Sequence, residues 1–125
     1  MQTGLLIDRN FCEHDPGTGH PEAPGRIEAI LSELEGTSLI KSCPSIKERA
    51  ITNDEALLAH TDGYLKTVIK EIDGKSSGIL TTGDTHFGPA SLTVARHAAG
   101  GLLNAVDGVV GGAFDNAFCA VRPPG

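Results

Sequence analysis

Two short apolar segments of strand length lie near opposite ends of the chain, and helical patterns and loops separate them. The first, Gly4 to Asp8, is an aliphatic run that ends in polar residues. The second, Asn116 to Val121, leads directly into Arg122-Pro123-Pro124-Gly125. The order strand, helices, strand predicts an α/β fold with a parallel sheet flanked by helices. Because two parallel strands have little stability of their own, we expect the sheet to be incomplete in this chain.

Four segments between these strands carry helical signals. They run from Pro24 to a stop at Gly36, from Asn53 onward, from Thr61 or Asp62 to Ile72, and from Pro89–Ser91 to Gly111-Gly112. Asn53 is expected to cap the second helix, and Leu57 and Leu58 to make it apolar. The glycine pair Gly100-Gly101 inside the longest helix predicts a close backbone approach by a neighbouring element. One apolar stripe is predicted along that helix, made of Leu92, Ala95, Ala99, Leu102, Val106 and Val110.

Composition and charge exclude several classes of protein. The 125 residues carry a formal net charge of -6 without a compensating basic cluster, so nucleic acid is a poor candidate partner. The aliphatic run Gly4 to Ile7 is far too short for a signal peptide or a membrane span, which predicts a cytoplasmic protein without a membrane partner. The three scattered cysteines form no CxxC pair and do not predict a disulfide framework.

The loop from Phe11 to Pro24 contains residue types that bind metals. Cys12, His14 and His20 could supply zinc ligands, but their spacing matches none of the common structural zinc patterns. The simpler interpretation is that His14 and His20 orient a tight loop through hydrogen bonds from side chain to backbone. A metal site here therefore stays the weaker alternative.

Other catalytic signatures are missing from the sequence. It contains no G-x-S-x-G elbow and no phosphate-binding loop, and Cys119 lies inside an apolar segment where a thiol is normally inert. Asp84, between Gly83 and Thr85, could be a turn residue that caps the following helix. Arg26 lies at the opening turn of its helix, away from the carboxyl end where cations are favoured, which suggests a specific partner.

Five ordered motifs carry a family resemblance that spans nearly the whole chain, from Gly4 to Gly125. The sequence resembles the histone deacetylase and acetylpolyamine amidohydrolase superfamily, and within it the class II and bacterial members. Small departures are Ala23, Gly25 and His86, the last of which stands where an aromatic tyrosine is usual. The motifs are Gly19-His20-Pro21-Glu22-x-Pro24-x-Arg26, His60-x-x-x-Tyr64-Leu65, Gly83-Asp84-Thr85, Ala98-Ala99-Gly100-Gly101, and Asn116-Ala117-Phe118 leading to Arg122-Pro123-Pro124-Gly125.

The resemblance implies a fold and an activity. Residues 1–125 would be the N-terminal fragment of a single deacetylase domain, with the three-layer fold of the arginase and deacetylase type. The family hydrolyses acetyl amides on lysine or polyamines with a Zn²⁺ ion held by two Asp and one His. Those ligands and a catalytic His pair follow the Arg-Pro-Pro-Gly turn in the family. We therefore expect no catalytic residue and no bound zinc in this chain, which would be inactive alone.

The resemblance also implies substrate-binding roles for residues that are present. Asp84 matches the rim carboxylate that accepts hydrogen bonds from the substrate's backbone amides. Arg26 matches the arginine of an internal channel below the active site. His20 and Pro21 would line a neighbouring loop, and the turn Pro123-Pro124-Gly125 would form one wall of the substrate tunnel. The candidate substrate-binding residues are therefore Asp84, Arg26, His20, Pro21, Pro124 and Gly125.

Two alternatives to a deacetylase fragment remain at this stage. One is a noncatalytic binding or dimerisation module built on the same fold, which would need another chain, such as a second copy in a homo-oligomer, to complete its sheet. The other is an unrelated metal-binding protein that uses Cys12, His14 and His20. A deacetylase gene is expected to continue past Gly125 with a His-His pair.

Overall fold

A computed structural model describes residues 1–124. The predicted strands at both ends are confirmed, and the chain folds in the order strand, helices, strand. A 3₁₀ turn, Arg9–Cys12, follows the first strand. The elements are β1 (Thr3–Ile7), α1 (Gly25–Glu35), α2 (Leu39–Ser42), α3 (Asn53–Ala56), α4 (Asp62–Ile72), β2 (Gly78–Ile79), β3 (His86–Phe87), α5 (Ser91–Val110) and β4 (Asn116–Ala120).

β1 is the central element of the sheet. It pairs in parallel with β4, with Leu6 opposite Cys119 and Ile7 opposite Ala120. On the other edge, the Leu5 amide donates to the Pro44 carbonyl at 2.8 Å, and the Leu5 carbonyl accepts from the Ile46 amide at 2.8 Å. Backbone groups on both edges of β1 are therefore hydrogen bonded, as a buried strand requires.

The hydrophobic core lies between the sheet and helices α1 and α5. Leu6 and Phe11 are 1% and 0% exposed, so the strand and the turn after it both anchor this core. Small side chains of α5 face the strands. The core consists of Leu6, Phe11, Ile27, Leu31, Ile46, Val94, Ala98, Ala105 and Ala120.

The glycine pair in α5 marks the closest approach of the helix to its neighbours, as predicted. A Cβ atom on Gly100 would lie 1.9 Å from the Arg49 carbonyl oxygen, far inside van der Waals contact. A Cβ atom on Gly101 would lie 2.7 Å from Leu6 Cδ2. Because these contacts leave no room for a side chain, close packing compensates for the helix propensity that glycine loses.

The predicted apolar stripe of α5 is wrong. The buried face holds Ser91, Val94, Ala98, Gly101 and Ala105. Of the predicted stripe, Leu92, Ala95 and Ala99 are half-buried and the rest is exposed. Small residues permit the close approach to β1, and that geometry outweighs the larger hydrophobic area of the other face. The exposed fractions of that face are 43% for Leu102, 57% for Val106 and 83% for Val110.

Helix starts were predicted with mixed success. Of the two predicted caps of α4, Thr61 and Asp62, the structure selects Thr61, whose side chain accepts a hydrogen bond from the Tyr64 amide. Asn53 does not cap α3, because Thr52 occupies that position and forms a capping box with Glu55. The predicted contribution of Leu57 and Leu58 to α3 is also wrong, since this helix ends at Ala56.

Other features differ from the sequence-based expectations. The elements α2, β2 and β3 were not predicted, and the last two form a short antiparallel hairpin. β4 is only partly buried, with Phe118 52% exposed, and within residues 1–124 only one of its edges is paired. In that same part of the chain, no helix combines the length and the apolar character needed to cross a bilayer.

We predict that Gly100→Ala destabilises the chain. Since the added methyl group would collide with a backbone carbonyl, overpacking should lower the free energy of unfolding by about 1–3 kcal/mol. Urea denaturation followed by circular dichroism measures this change. Gly63→Ala in α4 is the matched control, because a Cβ atom there would meet nothing within 4 Å. Equal stability of the two variants would contradict the packing argument.

Candidate functional site at the carboxyl end of the parallel strands

The segments that follow β1 and β4 meet at one edge of the sheet, where ligands collect in open α/β folds. Arg122 follows the end of β4 and is only 2% exposed. Its Nη1 atom donates to the Phe11 carbonyl at 2.9 Å, in the turn after β1. Arg122 therefore joins the ends of the two strands.

Glu22, from the loop that precedes α1, is the counterion of this buried guanidinium. Its Oε1 accepts from Arg122 Nε at 2.6 Å, and its Oε2 accepts from Nη2 at 2.7 Å. Nη2 also donates to the Glu22 backbone carbonyl at 3.2 Å. Such a two-pronged arrangement fixes orientation as well as distance. Burial favours the neutral acid, but hydrogen bonds and charge from Arg122 outweigh it and lower the pKa of Glu22.

His14 extends the ion pair into a hydrogen-bond network that consists of Arg122, Glu22, His14 and Ser91. Its Nε2 atom lies 3.2 Å from Glu22 Oε2, and its Nδ1 atom lies 2.7 Å from Ser91 Oγ. Ser91 Oγ also accepts from the Gly88 amide at 2.8 Å, so its own proton is available for His14 Nδ1. This pattern assigns the proton of a neutral His14 to Nε2, where it points at Glu22. Burial lowers the pKa of His14, against the opposing effect of Glu22.

Ser91, His14 and Glu22 have the connectivity of a nucleophile, a base and an acid. Their environment argues against that role. Ser91 is 5% exposed and His14 is 3% exposed, which leaves a substrate no access to the hydroxyl. The hydroxyl also accepts a hydrogen bond from the Gly88 amide, three residues before it in the chain. We therefore interpret the chain of hydrogen bonds as structural.

His20 and Pro21 lie beside this network. His20 is half-buried, and its Nδ1 atom accepts a hydrogen bond from the Glu22 amide at 3.1 Å. The predicted loop-orienting hydrogen bond to backbone is thus confirmed for His20. For His14 it is wrong, because both ring nitrogens bond to side chains. Pro21 is exposed next to His20.

Arg26 lies at the start of α1 with its side chain 60% exposed. Its Nη1 atom is 3.4 Å from Glu22 Oε1, an oxygen that Arg122 already holds more closely. An exposed ion pair of this length contributes little to stability. The guanidinium of Arg26 therefore lies at the edge of the network, largely in contact with solvent.

Asp84 is exposed on the turn that joins β2 to β3, and Thr85 in that turn bonds through its carbonyl to the Leu80 amide. The hairpin reaches the network through its second strand, since the rings of His86 and His20 have centroids 4.8 Å apart. Pro124 is exposed after Arg122, and Gly125 lies outside the described residues. The structure thus brings His20, Pro21 and Arg26 around Glu22, with Asp84 on a neighbouring hairpin.

A cavity of about 330 Å³ opens between this hairpin and the loop after β1. Its walls combine buried apolar groups, such as Phe87, with the polar side chains of Asp15 and His86. Further lining comes from Pro16, Gly17, Ser76, Ser77, Gly78, Ile79, Gly88 and Pro89.

Metal coordination finds no support among the described side chains. Within residues 1–124, no group of three or more His, Cys, Asp or Glu side chains is placed to hold an ion. His14 uses both ring nitrogens in hydrogen bonds, and burial raises the pKa of Cys12, which disfavours a thiolate ligand. The residues present do not fit a zinc centre.

The fold and the site together define an α/β protein whose loops gather at the carboxyl edge of a parallel sheet. A sequence model of the histone deacetylase domain matches residues 20–125. The chain therefore belongs to the histone deacetylase domain family. The crystal structure of the HDA15 HD domain superimposes with a TM-score of 0.87 at 28% identity, over 100% of this chain and 36% of that one.

Individual relatives extend the comparison. Polyamine deacetylase HDAC10 of Homo sapiens is 33% identical over 98% of this chain and 18% of its own length. Histone deacetylase 5 of Arabidopsis thaliana is 28% identical over 99% of this chain and 20% of its own. A probable deacetylase of Archaeoglobus fulgidus is 27% identical over 100% of this chain and 34% of its own. The chain thus spans a fifth to a third of these relatives.

Glu22 and Arg122 stand in the sequence motifs, but the sequence alone indicates no role for either of them. A charged residue directly after a buried strand was one available signal, because a buried cation needs a partner. The partner lies 100 residues away in the sequence, and no local pattern links the two. The role of Ser91 was hidden in the same way, since His14 lies 77 residues from it.

We predict that acid destabilises the chain in two steps. Unfolded His14 takes up a proton near its ordinary pKa of 6.5, whereas the folded state resists protonation. The stability that depends on neutral His14 is therefore present above this pH and is lost as the pH falls toward the lower folded value. Glu22, whose folded pKa is also depressed, adds a second loss below its ordinary 4.5.

Urea midpoints measured at about pH 7.5 and about pH 5.5 test the first step. His14→Gln should flatten this pH dependence, while His60→Gln, at an exposed position, should keep it. A wild-type midpoint that does not change between the two conditions would exclude the assignment.

Proposed function

We propose that this chain is the N-terminal part of a zinc-dependent deacetylase domain, which hydrolyses acetyl amides on lysine or polyamines in the cytoplasm. Membership of the histone deacetylase domain family carries the proposal, because the relatives described above are histone and polyamine deacetylases or a probable deacetylase. In this proposal, residues 1–125 supply scaffold and substrate contacts, and the groups that perform hydrolysis belong to chain beyond them.

Hydrolysis of an acetyl amide requires a polarised amide carbonyl and a water molecule activated as the nucleophile. In zinc-dependent hydrolases, the metal ion would supply both effects. Since residues 1–124 offer no ligand set, no zinc-dependent step is assigned to them. Their contribution is positional. The buried ion pair holds the turn after β4 against the loop after β1, so that residues following this turn would start from a fixed backbone.

Substrate contacts are proposed for the exposed groups around the network. Asp84 would accept hydrogen bonds from amides of the substrate at the rim, a role compatible with its exposure on the turn of the hairpin. Arg26 would line the internal channel, and His20 with Pro21 would line the adjoining loop. Pro124 and Gly125 would form one wall of the substrate tunnel, because prolines restrict the backbone there.

Enzyme assays test this function. The complete gene product, purified with zinc, should release acetate from an acetyllysine peptide or from an acetylpolyamine. The 125-residue chain alone should release none under the same conditions. A complete product that is folded and zinc-loaded but inactive on both substrates would refute the proposal.

A second candidate function is a noncatalytic module that pairs with another copy of the chain. The exposed apolar side chains on α5, Leu102, Val106 and Val110, favour it, because such a face is normally covered. Size measurement of the 125-residue chain separates the two functions. A tight homo-oligomer would support the module, and a monomer would count against it.

We predict that Asp84→Ala in the complete protein lowers kcat/KM by about tenfold or more, because substrate positioning is lost. Asp107→Ala on α5 is the matched control, since it removes another exposed carboxylate away from the hairpin. Steady-state kinetics on both variants provide the measurement. Equal kcat/KM for Asp84→Ala and wild type would dismiss the rim assignment.

A further inference from the structure

The Glu22–Arg122 pair has more contacts than simple charge neutralisation requires. Three nitrogens of one guanidinium are engaged at once, by both carboxylate oxygens and by two backbone carbonyls. The carbonyl acceptors belong to Phe11 and Glu22, on two different parts of the loop after β1. The position of Arg122 is therefore fixed in three directions.

Burial of the Glu22–Arg122 pair also costs desolvation free energy, which argues that the pair has a role beyond stabilising the fold. Arg122 is 2% exposed and Glu22 side-chain exposure is 13%, so both charges are largely removed from water. Replacing such a pair by apolar residues is often neutral or stabilising, and its retention then needs another reason. The geometry supplies such a reason, because the contacts of Arg122 fix the direction of the segment that follows it.

A second pair of the same type lies elsewhere in the chain and shows what an ordinary example looks like. Arg49 donates to Glu55 through Nη1 at 2.9 Å and Nη2 at 2.6 Å. Its side chains are 37% and 27% exposed, and the pair ties the start of α3 to the segment before it. Arg49 has no bond to the loop after β1 or to the turn after β4 among the hydrogen bonds of the described residues.

We propose that Glu22 is a positioning residue for the deacetylation reaction, acting through Arg122 to set the backbone from which the catalytic groups extend. This inference rests on the proposed function. Glu22 touches no substrate in this scheme, and its effect is transmitted by the two-pronged contact and by the carbonyl of Phe11. His14 supports it by donating to Glu22 Oε2, and Arg26 makes only a longer contact of 3.4 Å with the other oxygen, Oε1.

Kinetics of the complete, zinc-loaded protein test the role of Glu22. Glu22→Gln should lower kcat by about tenfold or more while KM changes little, because misplaced catalytic groups slow the chemical step. Glu55→Gln is the matched control, which removes one side of the ordinary pair and should leave kcat unchanged. An unchanged kcat for folded Glu22→Gln, or an equal loss in both variants, would overturn the proposal.

Arg122→Lys separates geometry from charge. Lysine keeps the positive charge but cannot engage two carboxylate oxygens and a carbonyl with a planar fork. We therefore expect Arg122→Lys to lose kcat as Glu22→Gln does. Full activity of Arg122→Lys would mean that charge alone suffices, and it would overturn the positioning role.

Hydrogen exchange gives a readout that is independent of activity. In Glu22→Gln, the amides of Val121 and Arg122 should exchange faster than in wild type, and in Glu55→Gln they should not. Unchanged exchange at both amides would contradict the inference, even if the kinetics were altered. If wild type has no deacetylase activity, the proposed function fails. The exchange experiment still tests whether Glu22 holds the backbone at Val121 and Arg122.

Discussion

The buried guanidinium of Arg122 is the constraint on which the site depends. A cation with 2% exposure is stable only if its donors find acceptors, and here a carboxylate and two backbone carbonyls provide them. Those acceptors lie in the loop after β1, whose path is irregular. The loop and the turn after β4 must therefore adopt their structures together, since either one alone would leave a buried charge without its partners.

Close packing of α5 against β1 makes this arrangement possible. The buried face of the helix is built from small residues, and at Gly100 a carbonyl oxygen occupies the space where a side chain would begin. This close approach brings Ser91, at the first turn of α5, within hydrogen-bond distance of His14. Packing of the helix and assembly of the polar network thus depend on each other. The larger side chains of α5 are left facing outward as a consequence.

Local signals in the sequence predicted local features well. The apolar runs indicated both strands, Thr61 marked the start of α4, and the glycine pair indicated the close approach. The start of α3 also carries a local signal, because Thr52 and Glu55 have the spacing of a capping box, and the cap is Thr52 instead of the predicted Asn53. The buried face of α5 was not predictable from hydrophobicity, because the choice depended on the neighbouring backbone. The polar network was hidden by sequence separation, since Glu22 and Arg122 are 100 residues apart.

The register of β1 and β4 connects the packing of the core with the polar network at the strand ends. Ile7 lies opposite Ala120, and from that pair the chain runs forward to Phe11 on one side and to Arg122 on the other. A slip of two residues would preserve which side chains face the core but would move Arg122 by about 7 Å along the strand. At that displacement neither the Phe11 carbonyl nor the Glu22 carboxylate could be reached. Core packing alone would tolerate such a slip better than the charges would. The ion pair therefore selects one register among those that hydrophobic alternation allows, and it fixes the strand ends and their loops relative to each other.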